Sequence, residues 1–158
     1  MRIIASPWVK LNRGEKMKNS KEVLTALLHT TQMGQTGIRS VMDSVVGLGL
    51  KQEMKDQLQQ YDSIEKEALR LATARGWKIP NVHPGVRKMA DIMSRARLMG
   101  GDVDSKIAGM LIQGNTRGMI LGTKNLHRVD RSDGQIVELA QKLLDREAVN
   151  IQKSQHYL

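Results

Sequence analysis

Residues 143–151 read LLDREAVNI, and their apolar and polar positions recur with the period of an α-helix rather than that of a strand. The pattern begins upstream, so that one stripe runs through Ile136, Leu139, Ala140, Leu143, Glu147, Asn150 and Ile151. Spacings of three and four residues place these side chains on one face of a helix. Because the stripe is apolar except for Glu147 and Asn150, the sequence predicts a helix that turns two polar side chains toward the core.

The rest of the chain predicts four more helices by the same spacing. We expect them at about 20–48 and 51–75, in a short segment from Pro84 to the Gly100-Gly101 pair, and from Asp102 or Asp104 to about His127. The last helix is expected to start with a capping box at Ser132 and Gln135 and to continue almost to Leu158. No stretch alternates with a period of two, so no strand is expected.

The lengths of the connections predict how these helices pack. Short connections make antiparallel neighbours, whereas the connection of nearly thirty residues between the second and fourth helices lets these two run parallel. The sequence therefore predicts an all-α fold, an up-down-down-up four-helix bundle with a short extra helix in the long crossover. The expected inward stripes end at Val45 and Val46 in the first helix and at Gly118 and Leu121 in the fourth.

The composition is that of a single domain of ordinary size that lacks two residue types. The chain has 158 residues, no Phe, no Cys and 10 Met, so the core must be built from Leu, Ile, Val, Met and Ala. Without Cys there is neither a disulfide framework nor a thiolate metal site, which fits a reducing compartment. The apolar stretches are short and interrupted by charges, so we expect no transmembrane helix, no membrane partner and a cytoplasmic protein.

The net charge of +9 raises the question of nucleic-acid binding. Residues 1–21 carry six Lys and Arg against one Glu, so they supply +5 and the rest of the chain only +4. The densest basic surface expected in the body, interpreted as a solvated face, comprises Lys78, Arg87, Lys88, Arg95 and Arg97. With 2 Trp, 2 Tyr and no Phe the chain offers no stacking platform for single-stranded nucleic acid. Nucleic-acid binding is therefore kept only as an alternative.

The first sixteen residues differ from the rest of the chain. A helix start signal at Asn19 follows directly after Met17. Residues 13–16, RGEK, can be encoded by a purine run that contains GGAG, as a bacterial ribosome-binding site does. One hypothesis is that residues 1–16 are a translated leader and that residues 17–158 form the helical domain. The alternative is a flexible basic arm.

Two halves of the chain echo each other. Residues 34–36 read GQT and residues 114–116 read GNT. Glu65 lies 30 residues after the Gln of the first triplet, and Glu147 lies 32 residues after the Asn of the second. This correspondence predicts that the first helix corresponds to the fourth, and the second to the fifth, about a pseudo-twofold axis.

With this layout the chain from about residue 20 to residue 158 resembles the ferritin and rubrerythrin superfamily. More narrowly, it resembles small ferritin-like bundle proteins of clostridia whose metal ligands are degenerate. The resemblance rests on the helix layout, on residues 110–116, MLIQGNT, and on residues 143–151. The di-metal site of the superfamily takes a Glu from each of two helices and a Glu-x-x-His from each of the other two, because residues three apart share a helix face.

Carried over position by position, the resemblance implies a degenerate site. The positions that correspond to ligands hold Gln35, Glu65, Ala68, Asn115, Glu147 and Asn150. Gln35 and Asn115 take the places of the single Glu residues. Ala68 and Asn150 take the places of the His residues. Two carboxylates of four therefore remain, and both imidazoles are replaced.

This ligand set changes the chemistry that we expect. Two carboxylates supply too little negative charge for two divalent or trivalent ions, and amides are weak donors, so we expect no di-iron centre and no cofactor. The alternative is a single metal ion at Glu65 and Glu147. We expect a polar core in which amide donors satisfy the carboxylates, made of Gln35, Glu65, Asn115, Glu147 and Asn150. His127 and His156, near helix ends, are expected to be solvated.

The sequence thus favours a non-catalytic ferritin-like helical bundle with a structural or interaction role, self-associating as a homo-oligomer, with a dimer favoured. Two alternatives stay open, namely a metal-binding redox or stress-protection protein with an altered ligand set and a basic nucleic-acid-associated bundle. Glycines at roughly helical spacing predict close helix–helix contacts within the bundle or at a dimer face, with a ligand groove as the alternative. They are Gly34, Gly37, Gly109, Gly114, Gly118 and Gly122.

Overall fold

The computed structural model of the chain describes residues 13–80 and 100–158. Within these ranges the chain forms four α-helices and no strand: α1 (Arg13–Val41), α2 (Leu48–Ala74), α3 (Val103–Arg128) and α4 (Gly134–Gln155), with a 3-10 turn at Met42–Ser44. The prediction of an all-α fold is therefore confirmed for this part of the chain. The short helix expected from Pro84 lies outside the described residues, and the leader hypothesis for residues 1–16 stays a prediction.

The contacts at the two ends of the bundle give the directions of its helices. Asp104, in the first turn of α3, accepts hydrogen bonds from the backbone N–H groups of Val46 at 2.8 Å and Gly47 at 2.7 Å, so α3 begins beside the α1–α2 connection. At the other end Arg75, just after α2, binds Asp133, just before α4. Helices α2 and α3 therefore start at one end of the bundle, and α1 and α4 start at the other.

The core lies between the four helices, and each of α1 and α4 packs against both α2 and α3. The largest fully buried apolar side chains are Leu24, Leu28, Val41, Leu50, Met54, Ile64, Ile136 and Leu139. Full burial of one such side chain contributes about 1.5–3 kcal/mol. Gln57, Glu147 and Asn150 are among the largest fully buried side chains as well, so polar groups interrupt the apolar core.

The first helix differs from its predicted extent at both ends. It begins at Arg13, so the start signal at Asn19 lies inside it, and it ends at Val41 rather than near residue 48. Val46, predicted to face inward, is 81% exposed. The reason is tertiary, because the carboxylate of Asp104 binds the N–H groups of the connection and holds it outside the core.

Helix α3 begins where the sequence predicts, but its far end faces differently. Asp102 precedes the helix, and its carboxylate accepts a hydrogen bond from the N–H of Ser105 at 3.1 Å. Gly118 is buried as predicted, whereas Leu121 is 44% exposed. Both residues have the spacing of inward positions. Leu121 is exposed because it lies at the edge of a groove between α1 and α3 rather than in the core, and the spacing does not show this difference.

The start of α4 corrects a prediction. The expected capping box from Ser132 to Gln135 is wrong, since α4 begins at Gly134 and its preceding residue, Asp133, makes no side-chain capping bond. The carboxylate of Asp133 binds the guanidinium of Arg75 instead. A contact between two helix ends thus replaces the local cap that the sequence suggested.

Candidate functional site

The five polar residues predicted for the core come from all four helices. Four of them are buried, with exposed fractions between 0% and 4%: Gln35 of α1, Asn115 of α3, and Glu147 and Asn150 of α4. Glu65 of α2 is half-buried. The helices therefore carry these side chains into the interior, where their hydrogen bonds form two separate groups.

The amide of Gln35 and the carboxylate of Glu65 form the first group. Gln35 Nε2 donates to Glu65 Oε2 at 2.7 Å. Arg39, one turn further along α1, donates from Nη2 to Gln35 Oε1 at 3.1 Å, and this bond determines which end of the amide faces the carboxylate. The expectation that an amide donor satisfies a carboxylate is met at this pair.

Asn115 is the centre of the second group, which joins α2, α3 and α4. Its Oδ1 accepts from the hydroxyl of Tyr61 at 3.0 Å and from Nδ2 of Asn150 at 3.2 Å. Its Nδ2 donates to a backbone carbonyl one turn earlier in α3 at 2.8 Å, and to Oε1 of Gln57 at 3.4 Å. A side-chain amide has two acceptor sites and two N–H donors, so all four are used. Neither N–H group of Asn115 donates to Glu147, so the expectation that amide donors satisfy the carboxylates is not met at Glu147.

The second group continues along α2 and α4 through residues that the sequence reasoning missed. Gln57 Nε2 donates to Glu53 Oε1 at 3.1 Å and to Ser154 Oγ at 3.2 Å. At the edge of the core, Glu53 Oε2 lies 3.8 Å from Nζ of Lys153. Gln57 and Ser154 stand at helical spacing from inward residues of their own helices, so this spacing is the signal that locates them. A stripe traced mainly through apolar residues passes over them.

Glu147 is buried without a hydrogen-bond partner among the described residues. It is 0% exposed, and neither carboxylate oxygen is bonded. Burial raises its pKa from 4.5 to about 8, because desolvation disfavours the charged form. Burial, together with the charge of Glu147, also raises the pKa of Tyr61 above its usual range, so the Tyr61 hydroxyl remains a donor. The side-chain oxygen of Asn150, one turn further along α4, is without a partner as well.

Two glycines create the space that these side chains occupy. A Cβ atom at Gly118 would collide with the carboxylate of Glu147 and would lie 2.5 Å from its Cδ. A Cβ atom at Gly34 would lie 2.7 Å from Cε2 of the Tyr61 ring. Both distances are far below van der Waals contact, so a larger residue at either position would force the side chain opposite it to shift. The prediction of close packing is confirmed at these two positions but not at Gly109, where the nearest atom is 3.9 Å away.

A groove between α1 and α3 leads to these two side chains. Its cavity volume is about 50 Å³, enough for one or two groups of the size of a water molecule. Its walls include Met33, Gly34 and Ile38 of α1 and Met110, Gly118 and Leu121 of α3. Its polar lining includes Gln57, Tyr61, Asn115 and Glu147. The polar core therefore borders a groove and is not sealed by apolar side chains on all sides.

The other residues singled out by the sequence lie away from this core. Lys78 is exposed. The remaining residues of the expected basic surface lie outside the described residues: Arg87, Lys88, Arg95 and Arg97. His127 and His156 are exposed, as predicted. His29 is half-buried, and its Nε2 lies 3.0 Å from the carbonyl oxygen of Pro80.

The groups in the polar core that could act as metal ligands do not fit a di-metal centre. Its carboxylates at the ligand positions are those of Glu65 and Glu147, and Glu65 already accepts the Gln35 amide. The amide of Asn115 is fully engaged with neighbouring groups. Across residues 13–80 and 100–158, no group of three or more His, Asp or Glu side chains is placed to hold a metal ion.

Fold and site together define an all-α four-helix bundle with a polar core. Over the part of the chain that the structure describes, no helix combines the length and the apolar character needed to cross a membrane. No family model matches the chain, and no curated protein or solved structure matches it. The resemblance to ferritin-like proteins, the homo-oligomer and the cytoplasmic location therefore stay predictions.

Proposed function

We propose that this protein is a non-catalytic, ferritin-like four-helix bundle with a structural or interaction role, and that it houses no di-iron centre. The observation that carries the proposal is the hydrogen bonding of two amides at the ligand positions. Gln35 binds Glu65, and Asn115 uses all of its donors and acceptors on neighbouring protein groups. At each position a side chain that would hold a metal ion is replaced by one that links two helices, and such networks stabilise a core when they are satisfied.

The ferritin-like part of the proposal is supported by the course of the chain. Helices α2 and α3 start at one end of the bundle and α1 and α4 at the other. This is the up-down-down-up order that results from two short connections and one long crossover. The pseudo-twofold correspondence of the sequence agrees with this order, since Gln35 links α1 to α2 and Asn115 links α3 to α4.

Metal analysis of the protein, purified without chelators, tests the proposal. We expect well below one iron or manganese ion per chain. The matched variant restores the ligands that the resemblance implies, through Gln35→Glu, Ala68→His, Asn115→Glu and Asn150→His in one chain. If the ferritin-like relationship holds, this variant binds metal and the native chain does not. About two iron or manganese ions per native chain would contradict the proposal.

A further inference from the structure

The floor of the α1–α3 groove holds a buried carboxylate that the described residues leave without a hydrogen-bond partner. Glu147 is wholly buried, and neither of its oxygens has a partner among the described residues. The polar side chains beside it in the groove donate elsewhere, because Asn115 uses both N–H groups and Tyr61 donates its hydroxyl hydrogen to Asn115. In its ionised form Glu147 therefore offers only acceptors to the groove, and a donor that enters there would satisfy it.

The walls above this carboxylate are apolar and are shaped by glycine. Gly34 and Gly118 leave the space into which Tyr61 and Glu147 project. Met33 and Met110, one from each helix, line the walls with flexible and polarisable side chains, which adapt to apolar groups of different shape. The cavity of about 50 Å³ admits a small head group, and a longer apolar chain would lie along the walls.

The α3 side of the groove carries a positive charge. Arg117 is exposed and lines the groove there. Like charges repel, so a second cationic group on a ligand is disfavoured near this side chain. The groove therefore combines one buried carboxylate, apolar walls and a cationic rim.

We infer that the groove between α1 and α3 binds a small organic molecule with one primary amine on an apolar chain, and that its ammonium group is hydrogen-bonded to Glu147. An ammonium group brings three donors and a compensating charge, neither of which the described residues supply to this carboxylate. The inference goes beyond the proposed function and does not require the ferritin-like relationship, because it uses only the groove and its floor. The raised pKa of Glu147 agrees with it, since no cation of the described chain offsets the desolvation of this carboxylate.

Calorimetric titration of the full chain with n-pentylamine tests the inference. Pentan-1-ol and pentanoate serve as probes of equal chain length that lack the ammonium group. We expect n-pentylamine to bind and to raise Tm. The other two probes should bind at least about tenfold more weakly, because they offer no charge-assisted donor to the carboxylate. 1,5-Diaminopentane should also bind more weakly than n-pentylamine, owing to Arg117.

Three variants locate the site. Glu147→Gln keeps the shape of the side chain and breaks no hydrogen bond, so we expect it to fold and to bind n-pentylamine about tenfold more weakly. Glu138→Gln removes a carboxylate from an exposed position of the same helix and should leave the affinity unchanged. Arg117→Glu, at an exposed position, should weaken the preference for the monoamine over the diamine.

The inference is overturned if n-pentylamine gives neither heat nor a rise in Tm, if pentan-1-ol binds equally well, or if Glu147→Gln binds undiminished. If Glu147→Gln does not fold, the inference is overturned when Arg117→Glu shows the same preference for n-pentylamine over 1,5-diaminopentane as the native protein. Metal analysis is independent of these titrations. Failure of amine binding leaves the proposed function intact, and metal in the native chain leaves the amine titration valid.

Discussion

The carboxylate of Glu147 on α4 fills the space beside Gly118 on α3 in which any other residue would carry its Cβ atom. Gly118→Ala should therefore displace a wholly buried side chain. Overpacking of this kind costs about 1–3 kcal/mol, and the helix propensity of Ala returns only about 1 kcal/mol. We expect the free energy of unfolding, measured by urea denaturation, to fall by up to about 2 kcal/mol.

Two comparisons isolate this contact. Gly109→Ala on the same helix would bring a Cβ atom no closer than 3.9 Å to its nearest neighbour, so it should stabilise the protein by up to about 1 kcal/mol. In a Glu147→Ala background, Gly118→Ala should lose its destabilising effect. A loss of equal size in both backgrounds would show that the two residues do not interact.

Burial of Glu147 predicts stability that falls as the pH rises. Its pKa is about 8 in the folded protein against an ordinary value of 4.5, so between these values the folded state keeps a proton that the unfolded state has released. The free energy of unfolding should therefore decrease through this window, by up to about 1.4 kcal/mol per pH unit, and level off above it. Urea denaturation at a series of pH values measures the slope.

The Glu147→Gln variant cannot titrate at this position. Its stability relative to the native protein should therefore improve steadily from about pH 4.5 to about pH 8. Glu138→Gln, at an exposed position of α4, should follow the native curve. Parallel curves for the native protein and Glu147→Gln would be incompatible with a buried, proton-retaining carboxyl group.

The hydrogen bond between Gln35 and Glu65 predicts a loss of stability on truncation. Gln35→Ala removes a buried donor to Glu65 and an acceptor for Arg39, so we expect the free energy of unfolding to fall by about 1–3 kcal/mol. Gln52→Ala is the matched control, because Gln52 donates to Asp56 at 2.9 Å on an exposed face of α2. It should change stability by no more than about 0.5 kcal/mol. Equal effects in chemical denaturation would argue against a stabilising role for the buried pair.

The ion pair between Arg75 and Asp133 joins the end of α2 to the start of α4 with hydrogen bonds of 2.5 and 2.7 Å. Arg75→Lys keeps the charge but loses the paired donors, and should lower the free energy of unfolding by on the order of 1 kcal/mol. Arg75 holds the pKa of Asp133 below its ordinary value of 3.8, so the stabilisation is present above that value and lost as the pH falls through the lower, folded pKa.

Thermal unfolding across the acid range checks this prediction. The difference between the native protein and Arg75→Lys should shrink as Asp133 becomes protonated. Lys66→Ala, which removes the exposed i,i+4 pair of Lys66 with Asp62, should have no measurable effect. A difference between native and Arg75→Lys protein that persists in strong acid would point to packing rather than to the ion pair.

Helical spacing was sufficient to predict that three polar residues of the core face inward, although it was not used to find Gln57 and Ser154. Gln35 and Glu147 stand three or four residues from apolar residues of their own helices, Asn150 stands three residues from Glu147, and all three are buried. The pairing of Gln35 with Glu65 could also be predicted from the sequence, because helices joined by a short connection are antiparallel neighbours. The residue at which α1 ends could not be predicted from the sequence, because the connection after it is held by the carboxylate of Asp104, more than fifty residues away.

By itself the sequence determined that this chain is helical, where most of its helices lie and many of the side chains that they turn inward, since these properties depend on spacings of a few residues. Only the tertiary structure decided which inward groups bind each other. Asn115 is bonded to Tyr61, 54 residues away, and not to Glu147, because hydrogen bonding depends on distances and angles between helices that spacing does not contain. The same packing leaves Glu147 without a partner among the described residues, in the groove that Gly34 and Gly118 line.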